Sequence, residues 1–223
     1  MTRLPRRTAL TATFTAALAA SLVACSGSNN AESTATATAQ ETAPATPSPS
    51  PSPTPANTMV EFPDGSYAIW IPSDWAVLTS DDADDDELVN AYAQATGQDA
   101  DAARQRLGTY QVISASHADS GETAEITAQV NHDSAELRMK DDFMQELNES
   151  GTEYTDFDGT TLYSTFSTYT TVSYTLNQGG TPQYVAVVHT QTSEENATVT
   201  VTASTNASAE RAQELVEEAV PLL

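Results

Sequence analysis

Hydrophobic and polar residues follow three different patterns along the chain. Residues 1–24 contain an apolar run from about Ala9 to Val23, and residues 25–56 contain no aromatic or large aliphatic side chain. Residues 57–223 instead carry hydrophobic residues at every second position or at every third and fourth position, which predicts strands and helices respectively. We therefore expect one folded domain in residues 57–223, because about 167 residues can bury a single core.

The periodic part of the chain predicts strands and helices in a mixed order. Turn residues Pro63-Asp64-Gly65 separate the first two strands, Pro72 ends the second strand, and Gly97 ends the first helix. The predicted elements are strands at 60–62 and 66–71, a helix ending near Thr96, a short helix capped by Asp99, strands at 110–116 and 124–130, a helix capped by Ser134, strands at 161–166, 169–176, 184–188 and 197–203, and a last helix from about Ser208.

The spacing also predicts which side chains face the core. Tyr184–Val188 is apolar on both faces, so it should be a central strand covered on each side, whereas Ala197–Ala203 has one polar face of threonines. The inward helix positions are Leu88, Tyr92 and Ala95, then Ala103 and Leu107, then Leu137, Met144 and Leu147 with Phe143 beside them, and finally Ala212, Leu215, Val216 and Ala219. Together these patterns predict an α+β domain in which an antiparallel sheet has helices on both faces.

The first 24 residues have the features of a secretory signal peptide. Arg3, Arg6 and Arg7 precede the apolar run, which is too short and too rich in alanine and threonine for a comfortable membrane span. The run leads into Leu22-Val23-Ala24-Cys25, which resembles the lipobox of bacterial lipoproteins. The alternative is an ordinary signal peptide with a chance cysteine near its end.

The lipobox resemblance implies lipidation of Cys25. A diacylglyceryl thioether would form on its sulfur, and cleavage between Ala24 and Cys25 would leave the protein anchored to the outer face of the cytoplasmic membrane. Cys25 is also the single cysteine of the chain, so the folded domain has no disulfide and no thiolate metal site.

Residues 26–56 are expected to form a disordered linker behind that anchor. They consist of serine, threonine, alanine, proline and other small or polar residues, and they end in the alternating prolines of Thr46–Pro55. Such a composition cannot bury enough apolar surface to fold, and alternating prolines favour an extended, semi-rigid spacer.

Charge excludes one class of partner. The formal charge of the whole chain is −23, and the signal segment contains three of the eight basic residues but no acidic residue. Residues 25–223 therefore carry 5 basic against 31 acidic residues, a formal charge of −26. We expect no binding to nucleic acid and no electrostatic binding to anionic lipid headgroups.

Asp82, Asp84 and Asp86 have the spacing of a calcium-binding loop. Glu87, however, stands where that loop needs glycine, and Ala93 where it needs a bidentate glutamate. The competing interpretation is a solvated acidic loop whose last residues favour the positive end of the following helix. We predict no metal site and no cofactor, with these three aspartates as the one weak metal candidate.

No catalytic motif is found in the sequence. His117, His132 and His189 share no metal-ligand spacing, and no nucleophile motif of the common hydrolase families occurs. We interpret His189 as a strand-end or partly buried residue. The aromatic residues that could line a pocket, although core positions are the favoured interpretation, are Trp70, Trp75, Tyr67 and Tyr92.

The Ile71-Pro72-Ser73-Asp74-Trp75 segment follows an opening hairpin and precedes a long meander and an amphipathic last helix. This arrangement resembles the PsbP-like fold, and the lipobox and linker resemble its actinobacterial LpqN/LpqT lipoprotein branch. The resemblance implies an αβα sandwich and a non-catalytic docking or ligand-binding module of the cell envelope, with an unidentified envelope protein or small ligand as partner. No functional residue is carried over from it. The alternative function is an envelope hydrolase acting on a wall or lipid substrate.

Overall fold

The computed structural model describes residues 57–163, 168–178, 180–192 and 197–220. The predictions on residues 1–56, namely the signal peptide, the lipobox Leu22-Val23-Ala24, the lipidated Cys25 and the linker, lie outside these ranges. They stay predictions from the sequence.

Two antiparallel sheets form the framework of the domain. A separate hairpin consists of β1 (Asn57–Glu61) and β2 (Ala68–Pro72). The main sheet has seven strands in the order β3-β4-β5-β9-β8-β7-β6, and every neighbouring pair is antiparallel. Its strands are β3 (Ala76–Thr79), β4 (Val112–Ala115), β5 (Ala124–Asn131), β6 (Tyr154–Tyr163), β7 (Thr168–Gln178), β8 (Thr181–Gln191) and β9 (Thr198–Thr205).

Helices cover both faces of the main sheet. They are α1 (Asp86–Thr96), α2 (Ala100–Leu107), α3 (Lys140–Glu149) and α4 (Ala209–Ala219), and a 3₁₀ turn (Ser80–Asp84) precedes α1. Helix α4 packs with the β1–β2 hairpin on one face, which we call face A. On the opposite face, face B, α1 and α2 pack near β3 and β4, and α3 packs near β6 and β7. This confirms the predicted α+β class with helices on both faces.

Face A carries the largest core. Alternate residues of β5 and β9 point into it, among them Ile126 and Val201, and each is fully buried against α4 residues such as Leu215. The α4 stripe was predicted correctly, since all four of its expected inward residues are buried. Burying a leucine of this kind stabilises the fold by about 2 kcal/mol.

Face B is built differently because its apolar clusters lie towards the two ends of the sheet. One cluster surrounds Tyr92 and Ile113 beneath α1 and α2, and the other surrounds Phe143 and Val187 beneath α3. Between them, the face-B positions of β5 and β9 are mainly polar, since they alternate with the face-A core residues. The threonines predicted for one face of β9 occupy this middle strip.

The central position predicted for Tyr184–Val188 is confirmed, since β8 lies between β9 and β7. Ala186 and Val188 contribute to the face-A core, and Val185 and Val187 pack with Phe143 on face B. The apolar residues at positions 185–188 are therefore buried alternately on face A and face B.

The predicted inward stripe of α1 is confirmed at Tyr92 and was wrong at Leu88. Val89 is fully buried with Tyr92, whereas Leu88 is 46% exposed. The Asp85 side chain accepts hydrogen bonds from the backbone N–H groups of Glu87 and Leu88. Leu88 lies in the first turn of α1 beside this cap, where its side chain faces solvent.

Ser134 does not cap α3, so the predicted helix start was also wrong. The Ser134 hydroxyl accepts from Glu136 N–H in a local turn, and the helix begins only at Lys140. Its cap is formed where Asp142 Oδ2 accepts from Met139 N–H at 2.7 Å. Phe143 is consequently the buried residue of α3, and Met144 is 36% exposed.

Two strand predictions also need correction. The short strand β3 was missed because Trp75 lies in a turn closed by its own N–H bond to Pro72, after which only four residues remain extended. Strand β6 begins at Tyr154 and not at Thr161, since a register shift between Thr155 and Asp158, with Asp156 at φ 54°, interrupts the alternation. Residues 164–166 of the predicted strand lie outside the described residues.

Candidate functional site

A cavity of about 320 Å³ opens on face B, between the polar strip and the segment that leads into α3. Its floor is formed by side chains of β5, β9 and β8, namely Gln129, Asn131, Thr198, Thr200 and His189. Its cover is formed by Ser134, Glu136, Leu137, Arg138 and Asp142.

Strand register explains the floor. Gln129, Thr200 and His189 are directly opposite one another across three neighbouring strands, so their side chains form one row on face B. Asn131 and Thr198 start the next row. The sequence thus places polar side chains at the ends of strands whose other face is apolar.

Hydrogen bonds hold the covering segment over this floor. Gln191 on β8 donates from Nε2 to the carbonyl of Ala135 at 2.9 Å, and Asn131 Oδ1 accepts from Asp133 N–H at 2.9 Å. The segment before α3 is therefore fixed to the sheet by side chains and not by helix formation.

His189 is the most unusual residue of the cavity wall. It is only 3% exposed, its Nδ1 forms a 2.8 Å hydrogen bond with the Thr200 hydroxyl, and its Nε2 is closed to solvent. Burial lowers the pKa of His189 to about 4, and the nearby charge of Arg138 acts in the same direction. A hydrogen bond between the ring and the Glu136 backbone makes a smaller contribution that raises the pKa. The ring is therefore neutral at physiological pH.

Arg138 is held at the edge of the cavity by two contacts of its own. Its guanidinium group forms an ion pair with Glu146 and lies 4.0 Å from the centre of the Phe143 ring. Phe143 in turn meets the His189 ring edge to face at 5.9 Å. Arg138 is thus ion-paired but still acts on His189 through its charge, and the other charged groups of the cavity lining are the carboxylates of Glu136 and Asp142.

The Thr200–His189 pair has the distance of a nucleophile and its general base. In hydrolases of that type, a carboxylate bonds the second ring nitrogen and orients the base, but Nε2 of His189 has no such partner in the described chain. A base with a pKa near 4 is also poorly matched to catalysis at neutral pH. The arrangement is better suited to holding a ligand by hydrogen bonds.

The acidic run, residues 81–87, lies in the 3₁₀ turn and at the start of α1, and its side chains have contacts there. Asp82 Oδ2 accepts from the N–H and hydroxyl of Thr79, and Asp86 pairs with Arg104 at 2.6 Å. Asp84 is exposed. Across the described ranges, no three histidine, cysteine, aspartate or glutamate residues are grouped as a metal site would require.

The other predicted candidates also lie outside the cavity lining. His132 Nε2 contacts Asp64 at 2.9 Å, and His117 is exposed. Tyr92, on α1, is buried in the cluster with α2, β3 and β4, Tyr67 and Trp75 pack against the face-A core, and Trp70 is 37% exposed. The aromatic pocket considered from the sequence is therefore not formed by these four residues.

The cavity itself was not predicted from the sequence. The threonine face of β9 and the polar end of β8 were visible signals, but the cover comes from residues 134–138 and Asp142, for which the sequence pattern predicted one continuous helix. Within the residues the structure describes, no helix is both long enough and apolar enough to cross a bilayer.

No family model and no curated protein matches the chain. Among solved structures, it is similar to the Ran-binding protein Mog1p of Saccharomyces cerevisiae, with 11% identity over 74% of this chain and 85% of that one, at a TM-score of 0.42. It is also similar to LpqN of Mycobacterium tuberculosis, described as involved in cell envelope biogenesis, with 13% identity over 73% and 84% of the two chains and a TM-score of 0.37.

Proposed function

We propose that the chain is a lipid-anchored, extracytoplasmic binding module of a bacterial cell envelope, of the PsbP-like lipoprotein kind, and not an enzyme. Cys25 anchors it to the outer face of the cytoplasmic membrane, residues 26–56 form the spacer, and the α+β domain binds an envelope protein or a small ligand through the face-B cavity.

The observation that carries the proposal is the row of polar side chains on the cavity floor, where Gln129, Thr200 and His189 lie opposite one another on three neighbouring strands. A few polar groups placed in a concave site fix the orientation of a ligand by hydrogen bonds.

Charge supports a cationic partner. The basic residues of the folded domain all form ion pairs with acidic side chains, so none is left to attract an anion: they are Arg104, Arg106, Arg138, Lys140 and Arg211. With a formal charge of −26 on residues 25–223, association with a basic surface is favoured, and it weakens as salt screens the charges. Tethering raises the effective concentration near a membrane partner.

Metabolic labelling with a palmitate analogue tests the anchor. Label should be incorporated into the wild-type chain and lost on Cys25→Ser, while the neighbouring Ser26→Ala variant keeps it. Label retained by Cys25→Ser would refute the anchor.

Site-directed photo-cross-linking in the native membrane tests the binding function. A photoreactive residue placed at Glu136, on the cavity cover, should give adducts that disappear at high salt. The same residue at Glu217, exposed on α4, is the matched control and should give none of these adducts. Identical adducts at both positions, or none at either, would contradict the proposed function.

The Thr200–His189 pair favours envelope hydrolase activity as a second candidate. Esterase, glycosidase and peptidase substrates would be tested on the wild-type chain and on Thr200→Val and His189→Gln. Turnover that both substitutions abolish, in variants that melt like the wild type, would establish the hydrolase and exclude the binding module.

A further inference from the structure

The main sheet ends at one side in a long strand whose outer edge is open. Strand β6 (Tyr154–Tyr163) has ten residues, whereas β3 at the opposite end of the sheet has four. Within the described ranges, β6 pairs with β7 alone, and no backbone group outside that pair bonds to it. An edge of this kind presents a row of N–H and C=O groups to which a further extended chain can bond.

The two halves of this edge differ. In the first half, the register shifts between Thr155 and Asp158, Asp156 has φ 54°, and Asp158 Oδ1 accepts from the N–H of Gly159 at 2.7 Å. Irregular pairing and charged side chains protect a strand edge from unwanted partners. The second half, residues 160–163, pairs residue by residue with β7 and carries no charge. We call residues 160–163 the open edge.

Exposed apolar side chains surround the open edge. Leu162 is 44% exposed and Tyr163 is 73% exposed, and successive residues of a strand point to opposite faces of the sheet. Met139, which precedes α3 and is 40% exposed, has its Sδ 3.8 Å from the hydroxyl of Thr161. Three of the seven large hydrophobic residues that are exposed in the described ranges therefore lie here, so an added strand would cover apolar surface on both faces.

Charge indicates which kind of chain fits this edge. Asp156 and Asp158 precede the open edge on the same strand and are exposed, and Lys140 is paired with Asp158 at 3.6 Å. A second copy of the chain would bring the same acids and a further formal charge of −26 on residues 25–223, so repulsion opposes self-pairing. Lysines would complement the two carboxylates, and β-branched residues between the lysines favour an extended strand.

We propose that the open edge of β6 binds an extended basic segment of a partner protein, which adds to the main sheet as a further strand. Backbone hydrogen bonds hold the segment, its apolar residues contact Leu162 or Tyr163, and its lysines lie near the carboxylates of Asp156 and Asp158. A seven-residue segment, about 23 Å long when extended, reaches from the open edge to both aspartates. The inference goes beyond the proposed function, because no residue of the open edge lines the face-B cavity.

Nuclear magnetic resonance of the backbone amides tests this on the mature chain, residues 25–223 carrying Cys25→Ser. The probe is the peptide acetyl-Lys-Val-Lys-Val-Lys-Val-Lys-amide. It should shift the amide resonances of residues 160–163 in a saturable manner and slow the exchange of these amides with solvent. Two control peptides should do neither. One is N-methylated at its five inner residues, which removes their backbone donors but keeps every side chain, and the other has glutamate in place of each lysine.

A matched pair of substitutions locates the binding. Leu162→Lys should weaken binding of the basic peptide by about tenfold, because a lysine on an edge strand blocks pairing and repels a basic segment. Leu88→Lys is the control, since Leu88 is 46% exposed on α1 and its substitution changes the net charge equally; at physiological ionic strength the affinity should stay within about twofold of wild type. Tyr163→Lys, at the other face of the same edge, should also weaken binding and repeats the test if Leu162→Lys does not melt like the wild type.

Each result supports or overturns the added strand. Equal binding of the N-methylated peptide, or equal weakening by Leu162→Lys and Leu88→Lys, would show attraction by charge alone and overturn it. Equal binding of the glutamate peptide would overturn the basic segment, as would dimers in sedimentation that Leu162→Lys dissociates, because a second copy would then occupy the edge. No saturable shift at residues 160–163 would also overturn the inference, while salt-sensitive cross-links at Glu136 would leave the proposed function standing.

Discussion

At the scale of single residues, His189 makes the stability of the domain depend on pH. Its pKa is about 4 in the folded chain against an ordinary value of 6.5, so the unfolded chain binds the proton more readily. Its contribution is fully present above pH 6.5 and is lost as pH falls towards 4. The total loss is about 3 kcal/mol.

The measurement is urea unfolding between pH 4 and pH 7, for the wild type and His189→Gln. The stability difference between the two chains should shrink as pH falls, because only the wild type loses the histidine contribution. The charged groups around the ring are Glu136, Arg138 and Asp142, and they are common to both chains. Parallel pH profiles would contradict the prediction, and His117→Gln, at an exposed position, serves as the control.

The same residue shows what sequence could and could not predict. The position of His189 near the end of β8 followed from the apolar run before it, but only partial burial was predicted and the residue is 3% exposed. Its cavity did not follow from that run, because the cavity depends on Gln129 and Thr200 lying opposite His189 across strands that are distant in sequence. The pairing register between strands that are distant in sequence is set when the sheet forms, so no local pattern of residues predicts it.

At the scale of helices and strands, the acidic run acts as a helix cap. Asp85 bonds two backbone N–H groups of α1, whereas Asp84 lies one residue earlier and is exposed. Asp85→Ala should therefore cost about 1 kcal/mol of unfolding free energy, as is typical for loss of an N-cap. Asp84→Ala, the matched control, should change it by less than about 0.5 kcal/mol. Urea unfolding compares them, and equal costs would show that the run acts only through its charge.

Helix α4 should be the most sensitive element of face A. Leu215 is 1% exposed and faces the sheet core, so Leu215→Ala removes buried methyl groups and leaves a cavity. We expect a loss of about 3 kcal/mol. Glu217→Ala, on the exposed side of the same helix, should stay within about 0.5 kcal/mol of wild type. Similar losses for both would place the core elsewhere.

The sequence predicted helix α4 better than helix α3. The α4 stripe was found in full because four apolar residues recur at helical spacing between polar ones. The start of α3 was not found, because Ser134 is a common capping residue, whereas the Gln191–Ala135 bond holds this segment to the sheet and the helix begins only at Lys140.

At the scale of the whole molecule, the fold class followed from the order of elements, because alternating strands and amphipathic helices permit few layered arrangements. The edge strand β3 escaped prediction because its four residues carry too short a pattern. The separation of the face-B clusters, which leaves the polar strip between them, was also invisible, since it depends on which strands the helices cover.

The surplus of negative charge should make the domain more stable in salt. Screening weakens both the attraction in the ion pairs and the repulsion among unpaired acids, but exposed pairs contribute only about 0–1 kcal/mol each, and acids outnumber bases by 31 to 5 in residues 25–223. Repulsion therefore dominates, and the melting temperature should rise when sodium chloride goes from about 0.01 M to about 0.15 M, where the screening length falls from about 30 Å to about 8 Å. Potassium chloride should act equally, since screening depends on ionic strength.

Calcium chloride at matched ionic strength should add little further stability, because Asp82 and Asp86 already contact Thr79 and Arg104. A falling melting temperature would refute the repulsion argument, and a large extra stabilisation by calcium that is lost in Asp82→Asn would establish a metal site in the acidic run.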